Sequence, residues 1–397
     1  MSEGVQPVTS APAPTGPGSL RDVVRYFLYL GTFGFGGPIA LAGYMQRDLV
    51  EKRGWIAKKD YVDGLALAQL APGPLAAQLA IYLGWAKGRV FGATAVAAAF
   101  ILPSFFMVMA LSAAYVRFGG LPWMQRAFYG IGAAVIAIIA RSALKLVKMT
   151  LVKDRLLWAL FALSTVATAW TESEIVWLFL GSGVVVLLVR ARRQPGGAAV
   201  ALLPPGLLVG LASAATTGVA VTWPLLGKLA LYFAEAGSFV FGSGLAIVPF
   251  LHGGVVNQYH WLTERQFLDA VAVAMITPGP VVITVAFIGY LVAGPLGAWA
   301  ASVGVFLPCY LFVILPAPYF RRFADNPHVR AFVDGVSAAA TGAIAGAAFV
   351  LGRRALVDVT TLVIAVATWF IFSRFKKLPE PLVILAAGVA GFVLKRA

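Results

Sequence analysis

The 397-residue chain carries one pattern twice. Ala71-Pro72-Gly73-Pro74 returns as Thr277-Pro278-Gly279-Pro280, with Pro278 standing 206 positions after Pro72. At the same offset Phe33, Phe35 and Gly36 return as Phe239, Phe241 and Gly242, Trp55 as Trp261, and Asp63 as Asp269. With one residue fewer, Leu102-Pro103 returns as Leu307-Pro308. Most of the repeated residues are Gly, Pro and aromatics set inside apolar stretches. Gly/Pro interruptions at matching points of two hydrophobic halves point to a transporter binding site.

The chain is 60% hydrophobic, and several apolar runs reach the ~20 residues needed to cross a bilayer. An all-α polytopic membrane protein follows. A membrane β-barrel would show alternating strands of ~10 residues, and the sequence has none. The net charge of +15 would suggest nucleic acid in a soluble protein. Here Lys and Arg lie in short loops between spans, as in cytoplasmic loops, so the partner is the lipid bilayer and not nucleic acid. The single cysteine, Cys309, precludes an internal disulfide and a Cys-rich metal site. His252 and His260 allow a ligand pair by spacing alone, and His328 stands apart. No P-loop, GxGxxG or HExxH motif is present, so no cofactor is expected. An intramembrane enzyme would need a nucleophile with a base, or a metal site, at membrane depth, and these residues argue against one.

Residues 1–19, rich in Pro, Ala, Gly and Ser, read as a disordered cytoplasmic tail rather than a signal peptide. A first transporter repeat spans 20–195, a linker 196–222, and a second repeat 223–397. Full-length apolar segments at about 90–116, 124–143, 155–171 and 174–190 have counterparts at 295–317, 331–352, 356–373 and 381–395. Two broken segments open each half. The first pair is 20–50, interrupted at Gly34–Pro38, and 60–87, interrupted at Pro72–Pro74. The second pair is 224–255, interrupted at Gly242–Gly244, and 264–292, interrupted at Pro278–Pro280.

Loop charges give the orientation. Lys145, Lys148, Lys153 and Arg155 mark a cytoplasmic loop, Glu172 and Glu174 an external one, and Arg190, Arg192 and Arg193 a cytoplasmic one. Two spans back, Lys87 and Arg89 are then inside, and the N-terminus is cytoplasmic. The corresponding second-half loops have the opposite character, with Arg374, Lys376 and Lys377 opposite the two glutamates. This is the charge signature of an inverted-topology repeat, and the pair Arg353/Arg354 runs against it. One extra crossing, Leu202–Val221, supplies the required parity, although Pro204-Pro205 makes it a poor ordinary helix. Arg47, Lys52, Arg53, Lys58 and Lys59 fall inside only if the broken segments are re-entrant hairpins. Arms of ~12 residues, ~18 Å of helix, reach the middle of a ~30 Å core but do not cross it.

Pro38, Pro74 and Pro280 each stand where a second arm would begin, a position suited to proline. The free N–H groups of the next turn would point to the tip, with the partial positive charge that binds anions. Gly36, Gly37, Pro38, Pro72, Gly73, Pro74, Gly242, Ser243, Gly244, Pro278, Gly279 and Pro280 are therefore the expected substrate-binding backbone, four tips suited to a tetrahedral dianion. Simple helix kinking is the competing account. Gln78 and Thr284, one turn beyond Pro74 and Pro280, would donate to oxyanion oxygens or make ordinary interhelical bonds, as would Gln69 and Thr277. Glu235 is an acid inside an apolar arm and reads as a proton-coupling residue, or as half of a buried ion pair. Asp63 and Asp269 read either as coupling residues or as helix caps. Arg21 and Arg25 would funnel an anion inward or snorkel to headgroups. Arg126 and Arg330, repeated before Ala-Phe, read as gates or interfacial anchors.

The string Phe33-Gly34-Phe35-Gly36-Gly37-Pro38, then Trp55, Ala71–Pro74 and Pro103-Ser104, resembles the chromate ion transporter family of bacteria. Phe239–Gly244, Pro278–Pro280 and Pro308 resemble its second domain, so the likeness covers residues 20–395, the two-domain long form. Gly37, Pro38 and Ala71 become Ser243, Gly244 and Thr277 in the second copy, which points to unequal contributions from the halves. The resemblance implies chromate export across the bacterial inner membrane, driven by membrane potential or proton gradient. Sulfate, of the same shape and charge, is the alternative substrate, another oxyanion carrier or an anion channel the alternative class, and a homodimer stays open.

Overall fold

In a computed structural model, the described residues are 18–35, 38–118, 122–151, 154–171, 175–192, 223–239, 247–320, 326–375, 378 and 380–394. The tail at 1–17, Gly36, Gly37, Glu172, Glu174, the stretch Leu202–Val221, and Gly242, Ser243 and Gly244 lie outside them.

The first half runs α1 (Leu20–Phe33), α2 (Pro38–Met45) with a π-helical extension at Gln46–Lys52, α3 (Lys58–Leu70), α4 (Leu75–Phe118), α5 (Pro122–Thr150), α6 (Arg155–Thr171) and α7 (Val176–Arg192). The second half gives the same series: α8 (Trp223–Phe239), α9 (Ile247–His252) with a π-helical extension at Gly253–Gln258, α10 (Glu264–Ile276), α11 (Thr284–Ile314), α12 (Pro327–Ala355), α13 (Val359–Arg374) and α14 (Glu380–Leu394). A short 3₁₀ turn, Val281–Ile283, leads into α11. No strand occurs among the described residues. Among the described residues, four stretches are long and apolar enough to cross a membrane: Leu75–Phe118, Met124–Lys148, Val281–Ile314 and Pro327–Ala355.

Local sequence sets the helix starts. Ser19 accepts from the Asp22 N–H while Asp22 accepts from the Ser19 N–H, a reciprocal capping box that starts α1. Thr263 and Gln266 do the same for α10. Asn326 caps α12, with Pro327 in the first turn. In α1 the buried Val23, Tyr26, Phe27 and Leu30 recur at helical spacing and form the face laid against α4. Phe27 meets Phe100 edge to face at 6.0 Å.

The repeat extends to backbone angles. Six described residues have positive φ, and they form three pairs: Gly54 with His260, Gly73 with Gly279, and Arg89 with Gly294. The third pair lies at a sharp break within α4 and α11. Gly88 and Arg89 have φ/ψ of −147°/27° and 52°/−141°, and Ala293 and Gly294 have −143°/28° and 61°/−153°. One break is thus made by Gly-Arg and the other by Ala-Gly. Arg89 holds a sparsely populated conformation that costs a non-glycine residue ~1–3 kcal/mol, so the surrounding fold imposes it.

The two halves interlock. α1 packs on α4 and α8 on α11, while α4 and α11 meet each other. The last two helices of each half then pack on the fifth helix of the other: α6 and α7 on α12, α13 and α14 on α5. Leu157 and Val186 share a buried cluster with Ala331 and Ala338, and Ala133 and Ala134 share one with Ile364 and Ala387. Helix packing between lipid-facing segments relies on close approach through small residues. Gly342 provides this, since a Cβ there would overlap the Phe161 carbonyl. Arg190 of α7 ties the same junction, 3.0 Å from Asp154 and 2.5 Å from Asp334.

Candidate functional site

α1 and α2 both pack on α4. The start of α1 and the end of the π-helical extension meet, because Gly18 lies directly against the Trp55 ring. Tyr26 of α1 reaches Asp48 of the π-helical extension at 3.4 Å. The arms of the second hairpin, α3 and the first part of α4, touch at Gly64 and Tyr82. Each arm ends where a carbonyl or amide loses its helical partner, at Gly34–Pro38, Pro72–Pro74 and Pro278–Pro280.

Three of these breaks meet at one place. Pro38, Leu41, Pro74, Ala76, Gly279, Pro280 and Val281 surround a single cleft, drawing on both halves. The Gly279 N–H donates to the Gly34 carbonyl at 3.0 Å, which joins the first and fourth breaks directly. The breaks also cross between halves. A Cβ on Gly279 would stand 2.7 Å from Ser104 Oγ, and one on Gly73 3.2 Å from Cys309 Sγ. Ser104 and Cys309 are themselves repeat mates, each directly after an intrahelical proline, Pro103 and Pro308. Gly73 and Gly279 have φ of 137° and 97°, so both breaks need glycine for conformation as well as for space.

Among the described residues, no charged side chain lines the cleft. Its surface is almost wholly apolar, and beside it lie the starts of α2, α4 and the turn before α11, whose first N–H groups lack intrahelical partners and carry the positive ends of helix dipoles. The free volume is about 10 Å³, room for about one water. An oxyanion needs the breaks to part.

The polar residues expected to touch substrate are held in other ways. Gln78 and Thr284 are repeat mates and fully buried. Gln78 Nε2 donates to the Pro72 carbonyl at 2.5 Å, and Thr284 Oγ1 to the Val281 carbonyl at 2.8 Å. Both brace their breaks from beneath. Gln78 Oε1 is buried without a hydrogen-bond partner. Thr277 Oγ1 donates to Val273 within its own helix at 2.6 Å, and Gln69 is exposed.

The helix-cap reading of Asp63 and Asp269 does not hold: Thr263 caps α10, and both acids lie inside their helices. Asp269 is buried and accepts from the Tyr115 hydroxyl of α4 at 2.7 Å, a bond between halves. Nothing in the sequence singled out Tyr115, whose repeat counterpart is Phe320. His252 and His260 do not form a ligand pair. His252 Nε2 lies 2.9 Å from both Glu264 oxygens, His260 Nδ1 faces the Val256 carbonyl, and no metal-ligand cluster occurs among the described residues. Arg354 donates to Glu264 at 2.8 Å, so one charge of the pair that ran against the loop pattern is neutralised locally. Glu235 is exposed on α8, Arg126 half-buried on α5 and Arg330 exposed on α12. Arg25 stands away from the breaks, in a separate cleft with Asp22, Tyr26, Tyr29, Arg53 and Trp55.

Comparison with known proteins assigns this architecture. The chain matches the chromate transporter family over residues 21–187 and again over 227–392. It is 58% identical over 379 residues to a chromate transport protein of Cupriavidus metallidurans, covering 94% of this chain and 93% of the relative. It is 53% identical to a probable chromate transport protein of Synechococcus elongatus, covering 94% and 95%. With a chromate transport protein of Pseudomonas aeruginosa it shares 33% identity, covering 99% and 96%. No solved structure matches. The double match, the apolar helices and the full-length relatives make this a multi-pass membrane protein that belongs to the chromate transporter family, a family of transport proteins rather than enzymes.

Proposed function

We propose that this protein exports chromate from the cytoplasm across the bacterial inner membrane, as a secondary transporter driven by the proton motive force. The observation that carries the proposal is the meeting of three Gly/Pro breaks from both halves at one cleft, with no charge among its described lining residues. Main-chain N–H groups there offer a tetrahedral dianion hydrogen bonds without a fixed cation that would hold it. Relatives named for chromate transport supply the substrate.

The halves are related by inverted topology, and the broken segments are re-entrant hairpins. The contact of Gly18 with Trp55 supports this, because it brings the start and end of the first hairpin to one side. So does the length of α1, 14 residues, which at 1.5 Å per residue gives ~21 Å against a ~30 Å core. Exchange between two packings of interlocked halves would open the cleft to each side in turn. Glu235 and Asp63 are the coupling candidates, and Arg126 and Arg330 the gate candidates.

Chromate uptake into everted membrane vesicles, with sulfate as competitor and an uncoupler as control, tests this. Energy-dependent accumulation inhibited by sulfate is expected. Uptake of sulfate without chromate would overturn the substrate, and flux insensitive to the uncoupler would overturn the coupling.

A further inference from the structure

The residues that line the cleft around Arg25 have repeat equivalents in the second half, and the two sets differ in charge. The cleft contains Asp22, Arg25, Tyr26, Tyr29, Arg53 and Trp55, with a volume of about 270 Å³. At the repeat-equivalent positions stand Lys228, Leu231, Tyr232, Glu235, Tyr259 and Trp261. The scaffold is shared. Arg53 lies over the Trp55 ring at 4.5 Å, and Tyr259 stacks on Trp261 at 4.6 Å, so a neutral ring takes the place of a guanidinium.

In the Arg25 cleft the acid at the mouth is engaged by the helix cap. Asp22 accepts from the Ser19 N–H at 3.0 Å and the Ser19 hydroxyl at 2.6 Å. Arg25, one turn deeper and exposed, and Arg53 supply the charge that faces the cleft. In the second half the order reverses. Lys228 stands at the mouth, 4.4 Å from the Tyr259 ring, the Arg25 position is Leu231, and one turn deeper Glu235 replaces Tyr29 and is exposed. A focused positive cleft raises the local concentration and capture rate of anions, and a negative one lowers them.

We propose that these are two vestibules of one oxyanion path: the Arg25–Arg53 cleft is a capture site for tetrahedral oxyanions, and the Glu235 side disfavours their return. The aromatic walls hold Arg53 and Lys228 while the charge one turn deeper differs, so direction is written into a few positions of an otherwise repeated frame. The proposal rests on the inverted topology inferred above, which places the vestibules on opposite sides.

The test exchanges each residue for its repeat mate. Michaelis constants for chromate and for sulfate are measured from both faces, in everted and right-side-out vesicles, for the wild type and for Arg25→Leu, Arg25→Lys and Glu235→Tyr. Arg25→Leu is expected to raise the constant about tenfold on the cytoplasmic face alone, and Arg25→Lys to restore most of it. Glu235→Tyr is expected to lower the constant several-fold on the opposite face alone. Shifts confined to these faces with sulfate, and no chromate movement, would support the vestibules while overturning the chromate assignment. Shifts of both variants on one face would overturn the inverted arrangement and this proposal together. Unchanged constants in variants that still transport would overturn the vestibules and leave the transport reading intact.

Discussion

Gly73→Ala probes the central cleft most directly. Gly73 has φ 137°, a region that costs a residue with a Cβ ~1–3 kcal/mol. The added Cβ would also overlap Gln78 Nε2, and would lie 2.7 Å from Gln78 Cδ and 3.2 Å from Cys309 Sγ. Overpacking of that kind costs another ~1–3 kcal/mol. The sum, ~2–6 kcal/mol, is a large share of a net stability of ~5–15 kcal/mol. Gln78→Ala behaves differently. It loses the bond to the Pro72 carbonyl but also removes the orphaned Oε1, and these opposed terms keep the single change within about 2 kcal/mol. In the Gln78→Ala background the main clash of the methyl group introduced by Gly73→Ala is gone and the backbone cost remains. A double-mutant cycle by reversible unfolding in mixed micelles should then show ~1–3 kcal/mol of favourable coupling. Equal cost of Gly73→Ala in both backgrounds would refute the placement of Gln78 beneath the break. No cost in either would refute the positive φ.

Three other outcomes follow from particular contacts. Tyr115→Phe removes the donor to the buried Asp269 carboxylate and should cost ~1–3 kcal/mol; Asp269→Asn keeps an acceptor and should cost less, read as the shift in unfolding midpoint. Burial pushes the Asp154 carboxyl up, but the Arg190 guanidinium and the Leu156 N–H hold it below its usual range. The stability it contributes is therefore present above the unfolded carboxylate pKa and lost as pH falls through the depressed folded value. Unfolding midpoints should drop on acidification in the wild type, with a shallower acid drop in Arg190→Met. Gly342→Ala drives a Cβ into the Phe161 carbonyl and should part α6 from α12, lowering the midpoint and the yield of folded protein.

The Gly/Pro breaks were legible in the sequence because proline and glycine act on their own backbone. All of those among the described residues are breaks in the structure. The segment edges at 87/90 and 292/295 were legible for the same reason, although Arg89 shows that a non-glycine residue can occupy such a break. Side-chain partners were less legible. Gln78 near a break suggests a substrate donor, and only the fold shows its amide turned to Pro72. Ser104 and Cys309 look like ordinary small helical residues until the other half brings Gly279 and Gly73 against them. Asp269 looked like a cap because its partner Tyr115 is 154 positions away. The exchange of helices between halves left no local mark, since a stripe of Gly and Ala records that something packs closely but not what.

The exchange has a consequence for how the protein is made. α6 and α7 are complete at Arg192, but their partner α12 begins at Pro327. At ~5–20 residues per second, the ~130 intervening residues keep the finished pair waiting roughly 10 s for its neighbour. During that time the faces of α6 and α7 that will receive Gly335, Gly342 and Gly346 of α12 stand open in the bilayer, where nearby hydrophobic segments compete for them. Biogenesis should therefore depend on a factor that shelters the nascent first half, and a chain stopped before α12 should be a preferred target for degradation.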